Sequence, residues 1–144
     1  MTTTVEERIE TALFTAVAAL DLAGDPPLAW PNVDFPGPGE EKPATYIEVL
    51  HLPNVNTRLM VKGTAPHLRQ GILQLVVMTP LNGGSSAATA LAGSIAAQFP
   101  ADTAIFEDGT KVRIQAAPDI GAGRQTDDQV SWSARVSIRY ECFE

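Results

Sequence analysis

Cysteine, histidine and lysine are scarce in this chain of 144 residues, and each scarcity excludes a chemistry. Cys142 is the only cysteine, so no internal disulfide and no thiolate metal cage can form. It reads as a small residue of a strand. His51 and His67 are the only histidines, and neither has a second ligand at helical or finger spacing, which argues against structural zinc. No lysine lies between Lys62 and Lys111. The glycine-rich stretch "TPLNGGSSAAT" (79–89) therefore lacks the lysine that a Walker loop needs to reach the outer phosphates. The patterns G-x-G-x-x-G and G-x-S-x-G are absent as well, so neither a dinucleotide fingerprint nor a nucleophile elbow is present. The stretch reads as a strand-to-helix turn, with glycines freeing the backbone and a serine placed to cap the helix.

Long apolar runs are missing too. None approaches the length needed to cross a bilayer, and the polar, acidic start "MTTTVEER" is unlike a signal peptide. The expectation is a soluble, intracellular protein without a membrane partner. At 144 residues, 44% apolar and 19% charged, the chain suits one globular domain, 1–144.

The formal charge is −7, which argues against a general nucleic-acid binder. Its distribution is uneven. Nine acidic residues up to Glu48 face only Arg8 and Lys42. From there to Asp102 there is no acidic residue, while Arg58, Lys62 and Arg69 fall in the gap. Two readings stay open: a solvated acidic face beside a neutral one, or a polarised subunit whose two kinds of surface meet in an assembly. The carboxylate pairs Glu6–Glu7, Glu40–Glu41 and Asp127–Asp128 are sequence neighbours whose side chains diverge, and they read as solvated surface. With no nucleophile, base and cleft indicated together, the chain reads as a non-enzyme.

The periodicities give the elements. In "TVEERIETALFTAVAALDL" (4–22), Val5, Ile9, Leu13, Val17 and Leu20 form one helical stripe. Thr4 and Glu7 fit a capping box, and Gly24, Pro26 and Pro27 stop the helix. "LAW" (28–30) suits a short strand. The proline- and glycine-rich stretch after it is a loop carrying Trp30 and Phe35, either pinned to its own core or laid on a neighbour. "ATYIEVLHL" (44–52) alternates as a strand, and "TRLMVKG" suits a hairpin arm. "RQGILQLVVMT" (69–79) reads as the central strand. His67 falls in a proline-flanked turn before it. "SAATALAGSIAAQF" reads as a small-residue helix, and "TAIFEDGTKVRIQA" as a hairpin turning at Asp108-Gly109. "GAGRQTDD" (121–128) reads as a loop. In "QVSWSARVSIRYECF", Val130, Trp132, Ala134, Val136, Ile138, Tyr140 and Cys142 point one way. Ser131, Ser133, Arg135, Ser137, Arg139 and Glu141 form the polar, solvent-facing side. The fold class is α+β: a mostly antiparallel twisted sheet, two helices packed on one face, and a long C-terminal strand.

Four stretches, "LAWPNVDF", "YIEVLHLP", "RQGILQLVVMTPLNGGSSAATALAGSIAAQF" and "WSARVSIRY", in this order and spacing, resemble the phage tail terminator-like proteins. These are relatives of the lambda-type tail terminator, encoded among the tail genes of long-tailed phages, prophages and gene transfer agents. The resemblance runs from Leu28 to Tyr140, and its distinctive parts are the W-P-N stretch and the arginine–glycine start of the central strand. It implies a ring, usually of six copies, seated on the finished end of the tail tube in the virion and assembled in the host cytoplasm. There it stops addition of tube protein and presents the head-joining surface. The implied partners are further copies of the chain, the major tail tube protein and a head-completion or connector protein. DNA is met only as it passes through the lumen. No catalytic residue, cofactor or metal comes with the resemblance.

A head-to-tail ring requires two different faces on each subunit, which suits the uneven charge. Trp30 and Phe35, and the arm around Arg58, Met60 and Lys62, are the expected assembly contacts. Arg135 and Arg139 are candidates to line a lumen, against the plainer reading of solvent-facing strand arginines. The competing functions are another neck or head–tail connector subunit, and a small ligand-binding domain.

Overall fold

Helix α1 (Val5–Ala18) starts where the side chain of Thr4 accepts the backbone N–H of Glu7 at 3.2 Å, the capping bond expected from the sequence. Glu6 and Glu7 occupy the first turn, at the positive end of the helix dipole. The helix ends at Ala18, four residues before the expected Leu22. The computed structural model describes residues 4–37, 39, 41, 43–54, 57–58 (backbone alone), 66–126 and 131–144.

The remaining elements follow in chain order. They are β1 (Leu28–Ala29), β2 (Tyr46–Pro53), β3 (Thr57–Arg58), β4 (His67–Pro80), α2 (Ser86–Ala97), β5 (Ala104–Glu107), β6 (Thr110–Ile114), β7 (Asp119–Ile120), β8 (Arg124–Gln125) and β9 (Ser131–Phe143). Among the described residues the nine strands form one sheet, with the path β1-β2-β4-β9-β6-β5. Only β1, against β2, is parallel; the other pairings are antiparallel. The class is the expected α+β.

β4 and β9 are the sheet's spine, paired from Leu68 with Phe143 to Pro80 with Ser131. The far side of β9 is covered in turn by β6, β7 and β8. "GAGRQTDD" is therefore not wholly loop, because Arg124 and Gln125 pair with Ser133 and Trp132. His67 is likewise not in a turn. It begins β4, exchanging backbone hydrogen bonds with Glu144. In both places a neighbouring strand or chain end supplies hydrogen bonds that local composition does not signal.

Both helices pack on one face of the sheet. Ile9, Leu13 and Val17 of α1, and Ala88, Ala92 and Ile95 of α2, join the inward residues of β2, β4, β6 and β9 in one core. Each fully buried leucine or isoleucine there contributes about 1.5–3 kcal/mol. Ala88 and Ala92, both wholly buried, let the α2 backbone lie close to the sheet. Ser85 occupies the N-cap, yet its side chain makes no capping bond, which corrects the capping expectation. Its own backbone is already helical (φ −90°, ψ −17°), whereas a capping side chain reaches back from an extended residue. The turn itself stands, with Asn82 and Gly84 at φ 64° and 86°. The β5–β6 hairpin turns at Asp108-Gly109 as expected, both with positive φ.

Candidate assembly site

Alternation along β2, β4 and β9 separates a face under the helices from an outer face free of them. The outer face of β9 is not uniformly polar and solvated as expected. Ser133 and Glu141 are buried on it. Ser133 donates to the carbonyl of Arg124 (3.2 Å), and Glu141 is ion-paired with Arg113, so β8 and β6 supply partners that a lone strand lacks. Arg135 and Arg139 lie on this face and are exposed. Arg139 pairs with Asp119 of β7 at 3.2 Å.

The loop after β1 rounds the edge of the sheet. Trp30 tilts against Phe14 of α1 with ring centroids 5.2 Å apart, on the helical face. Phe35 tilts against Tyr46 with ring centroids 5.1 Å apart, on the outer face. Both rings are half-buried against their own chain. Asn32, at φ 55°, turns the loop between them and leaves Val33 61% exposed at its rim, beside exposed Asp34. Of the expected arm, the backbone of Arg58 pairs with His67 as part of β3, while Met60 and Lys62 lie outside the described residues.

A cavity of about 510 Å³ opens between α1 and the start of β4. In it His51 Nε2 lies 2.6 Å from the Tyr140 hydroxyl, and Nδ1 lies 3.5 Å from a Glu10 carboxylate oxygen. Such a carboxylate–imidazole–hydroxyl chain suggests an activated nucleophile, but the electrostatics run the other way. Burial first, then the nearby Cys142 and Glu10, push the Tyr140 hydroxyl up to about 12, so it keeps its proton. Beside it Arg69 ion-pairs with Glu6 and donates to the backbone carbonyl of Glu144 (3.0 Å). The cluster ties α1 to β2, β4 and β9.

A second cavity, about 350 Å³, lies at the start of α2 beside Asn82, Ser85 and Trp132. Trp132 Nε1 is buried and has no hydrogen-bond partner among the described residues, and it lies close to Gly123. No group of three or more potential metal ligands converges among the described residues. No helix among them is long and apolar enough to cross a membrane.

Sequence reasoning missed the exposed aromatics. Phe106 is 68% and Phe143 57% exposed, both on the outer face. Their signal was present: Phe143 falls in the polar phase of the last strand.

The family model for the phage tail terminator protein matches residues 8–140. A solved structure of a protein that carries no functional name is 22% identical, covering 96% of this chain and 92% of its own, with a TM-score of 0.64. That similarity shows the fold alone. No curated relative matches the chain.

Proposed function

Since the chain belongs to the phage tail terminator family, a structural component of phage tails, we propose that it forms a ring on the finished head-proximal end of the tail tube. The ring stops further addition of tube protein and offers the surface to which the head is joined. The observation that carries this reading is the family match over residues 8–140. The fold supports it physically: one sheet whose two edges differ in shape and chemistry suits a head-to-tail contact, in which each subunit offers two unlike surfaces. On this reading further copies of the chain, the tube protein and a head-completion protein are its partners. The outer face of β9 would turn Arg135 toward DNA in the lumen.

The test is mass in solution across concentration, by light scattering after size exclusion, with and without purified tail tubes. A closed ring, or tubes capped by the protein and halted in growth, supports the proposal. A monomer at every concentration that also ignores tube ends overturns it.

A further inference from the structure

The exposed phenylalanines belong to one row across the outer face. Phe106 of β5 pairs with Lys111 of β6, and Leu68 of β4 pairs with Phe143 of β9. The β6–β9 register, Arg113 opposite Glu141, places Lys111 opposite Phe143 two residues further on. The Thr110–Glu144 hydrogen bond (2.9 Å) falls on that same register. Side chains one strand apart are about 4.8 Å from each other, so Phe106, Lys111, Phe143 and Leu68 form a strip ~15 Å long. Lys111 is exposed and makes no ion pair among the described residues. Two exposed phenylalanines flanking an unpaired ammonium group favour an apolar contact that carries a carboxylate.

The same chain offers one. At the opposite edge of the sheet, the loop between Trp30 and Phe35 projects exposed Val33 beside exposed Asp34, held there by the two rings that clamp its ends. We infer that the Val33–Asp34 rim of one copy seats on the Phe106–Lys111–Phe143 strip of the next. Val33 covers the two rings, and the Asp34 carboxylate meets the Lys111 ammonium. The inference rests on the head-to-tail ring proposed above and names its contact. The two surfaces lie at diagonally opposite corners of the sheet, so a ring joining them has its strands inclined to the ring plane.

The test uses three single variants of the full chain, Lys111→Glu, Asp34→Lys and Phe106→Ser, each checked for native circular dichroism and melting. Self-association, alone and on tube ends, is measured by light scattering. Each charge reversal is expected to weaken assembly about tenfold or more. An equimolar mixture of Lys111→Glu and Asp34→Lys regains it, because alternating subunits then meet only opposite charges. Phe106→Ser weakens assembly and is not rescued by mixing with either.

Wild-type assembly with all three variants assembling equally well overturns this contact and leaves the ring standing. Loss of assembly in both charge variants without rescue by mixing also overturns the pairing. Variants that self-associate normally but no longer engage tube ends would assign the strip to the tube protein instead. A wild-type chain that neither self-associates nor caps tubes removes the ring and this contact together.

Discussion

Gly71 of β4 is the window through which Tyr140 of β9 reaches β2. A Cβ built on Gly71 would lie 2.6 Å from the Tyr140 hydroxyl and 2.8 Å from the backbone carbonyl of Leu52. Without it, Tyr140 leans across β4 and its hydroxyl meets His51 at 2.6 Å. A glycine inside a strand usually weakens it; here it permits a close approach that ties three strands together.

Gly71→Ala is therefore expected to destabilise the protein by about 1–3 kcal/mol, the range for overpacking against atoms that cannot yield. Gly93, in the interior of α2, has open space around it: a methyl group added there meets nothing within 4 Å. Gly93→Ala is expected to stabilise by about 0.5–1 kcal/mol through helix propensity. Urea denaturation of the pair measures both, and equal effects would contradict the geometry.

The Tyr140 hydroxyl has a folded value raised from 10.0 to about 12, mainly by burial. A raised value means that the neutral form is favoured in the fold. The contribution of this group is then unaffected below about pH 10, where both states are protonated, and falls as the pH climbs from 10 to 12. Tyr140→Phe should flatten that alkaline decline, and it should also lower stability at pH 7 by about 1 kcal/mol as His51 loses its partner. A decline of the same depth in the variant would show that another group causes it.

Acid should act through Glu144. The hydrogen bond from Arg8 (3.0 Å), then that from Thr110 (2.9 Å), hold its carboxyl below the usual carboxylate range. A lowered value contributes stability that is present above the ordinary carboxylate range and is lost as the pH falls through the folded value. Glu144→Gln is expected to reduce the acid sensitivity below about pH 4.5. Thermal melts from pH 7 to pH 2 test it, and an unaltered acid limb would rule out this contribution.

Gly123 lies against the indole of Trp132, where an added Cβ would sit 2.5 Å from Nε1. Gly123→Ala must displace either the ring or β8. The expected result is a shifted tryptophan emission and a loss of about 1–3 kcal/mol. Trp30→Phe, made in the same background, isolates the Trp132 signal. Unchanged emission there would mean that the ring and β8 are not in close contact.

The sequence by itself determined the elements whose cause is local. The strict alternation from Trp132 to Cys142, the stripe from Ile9 to Val17 capped by Thr4, and the positive-φ turn at Asp108-Gly109 each follow from period, capping or backbone freedom. They sufficed for the α+β class. The single cysteine, Cys142, excluded an internal disulfide. Tertiary structure decided what depends on partners far along the chain. Ser133 and Glu141 look solvent-facing by alternation and are buried because β8 and Arg113 arrive beside them. His67 is a strand residue because Glu144 pairs with it, and Tyr140 reaches His51 only because Gly71 lies between. Phe106 and Phe143 stand on different strands, 37 residues apart, and only the register of β5, β6 and β9 brings them into one strip. Local periodicity fixes the direction of a side chain; the neighbour it meets is set by long-range pairing, which no short stretch encodes.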